Sequence, residues 1–166
     1  MRTPILLLLA VAATAFAAGR ISAPDAPPDV PRATGIGGIF FKSKDPQALK
    51  AWYTQHLGMP MNEYGAVFEF GDADADGRGY LQWSAFGMRT KYFAPSPKEF
   101  MINYRVVHLE QLVKDMRANG VVFTDSIERY EYGAFVHALD PDSNKLELWE
   151  PIDTVFTRLY KGTTVK

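Results

Sequence analysis

Four positions recur at matched spacing in this chain, and their side chains decide what a site between its halves can do. Gly38 opens a run that closes at Gly58, 20 residues on, and Met101 opens one that closes at Gly120, 19 residues on. Gln82 lies 44 residues after Gly38 and Glu147 lies 46 after Met101, so two similar halves are expected, each a strand, a helix and further strands. A site between them would draw on Gly38, Gln82, Met101 and Glu147, of which only Glu147 offers a carboxylate to a hard cation. In a concave face that carboxylate acts as a general base or holds a cationic ligand group. Equally, it pairs with Lys145, Arg105 or Lys42 and does no more than neutralise a buried charge.

Strand alternation extends the set. If Gly38 and Met101 face a cavity, Ile36, Phe40 and Lys42 share the first strand's face and Asn103 and Arg105 share the second's. Tyr80 and Ser84 then accompany Gln82, and Lys145 and Trp149 accompany Glu147. The ligand-binding candidates are Phe40, Tyr80, Gln82, Met101, Asn103, Arg105, His137 and Trp149, and the catalytic candidate is Glu147. Gln82 and Asn103 orient a ligand or bond the backbone. His137 lies opposite Glu147 and, with Glu131, makes a replacement metal site conceivable. His56 and His108 belong at helix ends in solvent. Glu131-Tyr132-Gly133 is a loop over the pocket or a strand-initiating turn.

These residues need elements to place them. The run Ile36 to Phe41 is too short for a helix before Asp45-Pro46 and reads as a strand, its Gly37-Gly38 pair suggesting a bulge or a close backbone approach. Asp45 caps the next helix with Pro46 in its first turn; Leu49, Trp52, Tyr53 and Leu57 form its stripe and Gly58 closes it. Strands follow at 66–70 and 79–84, separated by Asp72 to Gly77, a solvated turn rather than a calcium loop because the distal glutamate is out of register. A connection over 89–99 leads to the strand 101–106 and a helix over 109–119 with Leu109, Leu112, Val113 and Met116 on one face. Strands at 121–123, 135–139 and 145–149 complete the second half, the last two joined by Asp140-Pro141-Asp142-Ser143-Asn144. The tail 153–166 carries no clear signal.

At 166 residues and 47% apolar composition, one domain with a real core is expected. The net charge of -1 and the lack of a basic stripe argue against nucleic acid. Arg2 precedes an apolar run from Pro4 to Ala18 with Ala15-Phe16-Ala17 near its end, which reads as a signal peptide over 1–17. About 15 apolar residues fall short of the roughly 20 a spanning helix needs, so no membrane attachment is expected after cleavage. There is no cysteine, which removes disulfides, thiol chemistry and a lipidated terminus. The expected location is the periplasm or the medium. Residues 18–33, with Pro24, Pro27, Pro28 and Pro31, read as a linker.

The duplication, with the closing Asp140-Pro141-Asp142-Ser143-Asn144-Lys145-Leu146-Glu147-Leu148 and the earlier Ala51-Trp52-Tyr53 to Leu57-Gly58, resembles the vicinal oxygen chelate superfamily of glyoxalase I, bleomycin resistance proteins, fosfomycin resistance enzymes and extradiol dioxygenases. Phe100 to Val106 resembles a bacterial branch of it. The resemblance implies an α+β fold of two βαβββ modules, about 34–90 and 99–152, curling into a cupped mixed sheet within a domain spanning 34–152. It places the family's metal ligands on Gly38, Gln82, Met101 and Glu147, where three of four are missing or weakened. No metal or other cofactor is therefore expected, although a divalent ion in a rearranged site stays open. The favoured reading is an exported protein that binds a small aromatic or amphipathic molecule without metal. The alternatives are a lyase, isomerase or dioxygenase-like enzyme using a shifted metal or Glu147 as base, and an interaction module that forms a homodimer.

Overall fold

The computed structural model describes residues 30–71 and 79–165. The expected signal peptide, most of the expected linker and the expected turn at Asp72 to Gly77 lie outside the described residues. Eight strands form a single sheet in the order β2-β3-β1-β4-β8-β7-β5, with β6 paired to β7. The strands are β1 (Arg32–Ser43), β2 (Ala66–Phe70), β3 (Gly79–Gly87), β4 (Phe100–Val107), β5 (Val122–Phe123), β6 (Glu128–Tyr130), β7 (Gly133–Leu139) and β8 (Lys145–Pro151). The helices are α1 (Pro46–Leu57), α2 (Leu109–Ala118) and α3 (Asp153–Leu159). The cupped α+β architecture is the expected one. Its two modules join through the antiparallel β1–β4 pair, while β1–β3 and β4–β8 run parallel. Among the described residues the first module has two strands after its helix, where the second has four.

Local chemistry accounts for the helix ends. Asp45 Oδ1 accepts from Ala48 N at 3.0 Å, Pro46 fills the first turn, and Gly58 takes the left-handed conformation at φ 64° that ends α1. α2 has no side-chain cap of its own. Glu150, from β8, supplies one across space, accepting from His108 N at 2.7 Å and Leu109 N at 3.3 Å, a carboxylate at the positive end of the helix.

The two helices pack unequally. α2 buries Leu109 and Val113 against Val106, Val136 and Leu148. α1 has no fully buried residue, and of its expected stripe Trp52 and Leu57 are exposed. It holds to the sheet through rings instead, with Tyr53 4.8 Å from Trp83. His56 and His108 are exposed at helix ends.

Two boundaries differ from expectation. β1 begins at Arg32, so the end of the proline-rich stretch is already paired, Arg32 opposite Val107 on β4. The tail is structured as well: α3 buries Phe156, and Val165 pairs in parallel with the outer edge of β2, donating to Val67 O at 2.8 Å. The tail lacks a sequence signal because α3 is seven residues long and its one deep anchor is Phe156.

Candidate functional site

The concave face holds a cavity of about 600 Å³. Its walls are aromatic: Phe40 from β1, Phe86 from β3, Tyr92 from the β3–β4 connection, Tyr130, Tyr132 and Phe135 from the β6–β7 hairpin, and Trp149 from β8. Several rings pair in parallel, Phe86 with Tyr92 at 5.3 Å, Tyr130 with Tyr132 at 5.4 Å and Phe135 with Trp149 at 5.7 Å. Phe156 and Tyr160 from α3 and its end close one side, and the 62–64 segment closes another.

Glu147 sits in the floor, 2% exposed. Its Oε1 accepts from Asn103 Nδ2 at 2.6 Å, and its Oε2 accepts from the Tyr92 hydroxyl and from His137 Nε2 at 2.8 Å. The opposite edge of His137 meets Asp125 at 2.6 Å from Nδ1, and Asp125 also accepts from the His137 backbone N–H. An imidazole between two carboxylates donates to both only as imidazolium. Burial alone would lower its pKa, but the hydrogen bond and charge of Glu147, with Asp125 adding and Lys145 opposing, outweigh this and raise it. Burial, then the charge and hydrogen bond of Glu147, push the Tyr92 phenol far above its usual range, so it stays a donor. Lys145 lies beneath, its Nζ donating to Tyr92 O at 2.7 Å and lying 5.3 Å from the centre of that ring. Burial lowers the Lys145 pKa, with Asp125 and Glu147 opposing. The donors to Glu147 are thus Tyr92, Asn103 and His137, not the Lys145, Arg105 or Lys42 considered from sequence.

Of the residues expected to line a ligand site, Phe40, Gln82, Asn103, His137, Glu147 and Trp149 do line this cavity, and Tyr80, Met101 and Arg105 do not. Tyr80 is 2% exposed and packs in the core with Val67, Trp149 and Phe156, its hydroxyl bonded to Thr157 Oγ1 at 2.8 Å. Met101 is fully buried with Phe40 and Phe93. Arg105 turns away, its Nη2 donating to both carboxylate oxygens of Asp153 at 2.8 Å, and its guanidinium lies 5.2 Å from the Trp149 ring centre. Lys145 packs under Tyr92 rather than lining the cavity, and Ile36 is 48% exposed. Glu131 and Tyr132 do line it, at the turn of the β6–β7 hairpin.

The strand ladders correct the symmetry drawn from spacing. Gly38 pairs with Gln82 on one side and Asn103 on the other, and Asn103 pairs in turn with Glu147. The equivalent of Gly38 is therefore Asn103, not Met101, and both intervals become 44 residues (82 − 38 and 147 − 103). Spacing misled because the run from site to helix is eight residues in the first half (Gly38 to Pro46) and six in the second (Asn103 to Leu109). A bulge between Ile36 and Gly38 also turns both glycines inward. A Cβ on Gly37 would collide with Asn103 Oδ1 and come within 2.8 Å of Arg105 Cγ and Trp149 Cε3. Gly133, at φ 145°, has equally little room: a Cβ there would lie 2.5 Å from Glu150 O and Trp149 Nε1.

The residues at these four positions do not fit the divalent ion of the family. At Gly38 the Phe40 ring already occupies the space of a side chain, with ring carbons 2.7 and 2.8 Å from where its Cβ would lie. Gln82 donates from its Nε2 to Trp83 O and Ser84 Oγ at 3.2 and 3.1 Å, which leaves a neutral amide oxygen, a weaker ligand than the carboxylate the family uses there. Three donors already point at the carboxylate oxygens of Glu147, where a cation would need bare lone pairs. Among the described residues no group of three or more His, Cys, Asp or Glu is placed to hold a metal, and both ring nitrogens of His137 already meet carboxylates.

Sequence reasoning missed Tyr92 and Asp125. Tyr92 sits in a connection without strand or helix periodicity, and Asp125 reaches His137 only because the short β5 pairs with the far end of β7.

The family model for the Glyoxalase/Bleomycin resistance protein/Dioxygenase superfamily matches residues 35–148. Among solved structures, Streptomyces coelicolor methylmalonyl-CoA epimerase in complex with 2-nitronate-propionyl-CoA is similar with a TM-score of 0.52 at 16% identity, over 73% of this chain and 99% of that one. Methylmalonyl-CoA epimerase from Mycobacterium tuberculosis gives 0.48 at 17% identity, over 75% and 93%. A superfamily member from Vibrio splendidus 12B01 gives 0.43 at 10%, over 73% and 99%. No curated protein matches the chain. The likeness to these structures concerns the fold alone, but the match over 35–148 covers most of the chain, and the protein belongs to the glyoxalase/bleomycin resistance protein/dioxygenase superfamily.

Proposed function

We propose that this is an exported protein that binds a small aromatic or amphipathic molecule in its concave cavity without the help of a metal ion. The observation that carries the reading is the composition of the cavity, about 600 Å³ with parallel ring pairs for walls and a few fixed polar groups in its floor, the usual makeup of a small-molecule site. In this reading Glu147 is an anchor. Its hydrogen bonds hold Tyr92, Asn103 and His137 in one geometry, so the floor is already organised when the ligand arrives.

The test is a thermal-shift screen of planar aromatic compounds on the mature protein, followed by titration of each hit against Tyr130→Ala. Tyr130 is 48% exposed, so its loss should leave stability unchanged while weakening a hit about fivefold or more. Hits indifferent to Tyr130→Ala, or no hits, would sink the reading. Export is tested separately by expressing the full chain and sequencing the N-terminus of the product. An intact Met1 in the cytoplasm would remove that part.

A second reading rests on the hydrogen-bonded line Asp125–His137–Glu147, 2.6 and 2.8 Å, which could pass a proton between the floor and the partly exposed Asp125. Glu147 would then serve as a general base. Turnover of a bound hit that Glu147→Gln abolishes while binding persists would favour it.

A further inference from the structure

The charged groups in and around the cavity are unequally distributed. Glu63, Glu128 and Glu131 stand around its mouth with Glu147 in the floor, and among the described lining residues there is no lysine or arginine. The cations nearest the floor are committed: Lys145 to the backbone of Tyr92, Arg105 to Asp153, and His137 between Asp125 and Glu147. The floor is therefore balanced, His137 and Lys145 against Asp125 and Glu147. None of the three mouth carboxylates enters an ion pair among the described residues.

A second observation is independent of those carboxylates. Asn103 is 2% exposed and lines the cavity beside Gly37, yet its Oδ1 has no hydrogen-bond partner, while its Nδ2 is spent on Glu147; the other lining residue with a partnerless buried group, Trp149, holds its Nε1 against Gly133, which does not line the cavity. A buried acceptor is satisfied by a donor, not by another acceptor. Aromatic faces add a third preference, since the electron-rich face of a tyrosine or tryptophan attracts a cation and repels an anion. Acidic mouth, unfilled acceptor and aromatic walls all select for the same chemistry.

We infer that the ligand is a cation, an amine or ammonium group carried on a planar aromatic body, with the ring between the cavity's aromatic walls and N–H groups directed at acceptors of the floor and mouth. This deepens the binding reading above and rests on it.

Three ring-matched probes separate the two claims: 9-aminoacridine, cationic at pH 8; acridine, neutral there; and acridine-9-carboxylate, an anion. Calorimetric titration of the mature protein should give 9-aminoacridine at least about tenfold tighter than acridine, and the carboxylate weaker still. The preference should shrink about threefold or more in 0.5 M salt and in Glu63→Gln/Glu128→Gln/Glu131→Gln, whose exposed positions leave the fold intact by circular dichroism. If acridine or its carboxylate binds as tightly as 9-aminoacridine, the charge inference falls and the binding reading stands. If the preference survives the triple substitution undiminished, the mouth carboxylates are not its source and the inference falls likewise. If none of the three binds, both fall together.

Discussion

Replacing Glu147 by alanine removes the acceptor of three buried donors at once, Asn103 Nδ2, the Tyr92 hydroxyl and His137 Nε2. A buried donor left unpaired costs about 1–3 kcal/mol, and losing one partner of a buried ion pair costs about 3–5 kcal/mol. These costs overlap, because His137 keeps Asp125 as a partner, so Glu147→Ala should lose about 4 kcal/mol. Glu147→Gln should lose about half of that. Its amide oxygen can still accept from Tyr92 and His137, and its NH₂ meets Asn103, which can turn to offer the Oδ1 that has no partner in the native protein. What remains lost is charge assistance in two hydrogen bonds, about 2 kcal/mol. The pH dependence separates this account from simple cavity formation. The folded-state pKa of His137 is raised, so its contribution is fully present below about pH 6.5 and is lost as pH rises through the folded-state titration. The wild type should therefore lose stability when pH rises from about 6 towards 8.5. Glu147→Gln, without the charge that raises the imidazole pKa, should show a flatter profile. Urea unfolding followed by tryptophan fluorescence across that range measures both quantities. Glu147→Gln as stable as the wild type at pH 6, or with an undiminished slope, would refute the network as described.

Gly37→Ala should destabilise by about 2–3 kcal/mol by urea unfolding, because its methyl must displace Asn103, Arg105 and Trp149, whereas Gly35→Ala, with nothing within 4 Å, should cost under about 1 kcal/mol. Phe156→Ala should cost about 3 kcal/mol and abolish amide-exchange protection over 153–165 while α2 keeps its own. Asp153→Ala, which breaks the pair with Arg105, should cost about 1–3 kcal/mol in thermal unfolding, since the Asp153 side chain is 44% exposed but that of Arg105 is only 12% exposed and loses its acceptor.

Most of the fold was legible because its signals are local. Asp45-Pro46 and Gly58 bracket α1, the Leu109–Val113 stripe marks α2, and the Asp140 turn sets up the β7–β8 hairpin. What was not legible depends on contacts between distant segments. Glu150 caps a helix that starts 41 residues before it, and α3 is defined less by its sequence than by the groove of Tyr80 and Trp149 that receives Phe156. The site divides the same way. Glu147 and His137 face each other across one hairpin and could be paired from strand spacing, while Tyr92 arrives from a loop 55 residues away. Period-two reasoning placed Tyr80, Met101 and Arg105 in the cavity because alternation assigns a face and not what covers it. Here α3 covers Tyr80 and draws Arg105 towards Asp153, and Phe40 and Phe93 pack over Met101.

The pairing of Val165 with β2 also bears on how the protein meets its neighbours. An outer strand presents a row of free N–H and C=O groups on which other chains can polymerise. At one rim of this sheet the chain's own tail takes two of those hydrogen bonds, Val165 N to Val67 O and Glu69 N to Val165 O, while the other rim is shared by β5 and β6, only two and three residues long. The same tail carries α3, so resistance to aggregation and the closing of one cavity wall depend on a single segment. Deleting residues 153–165 would disturb both together, and handles for biochemical work belong away from this segment.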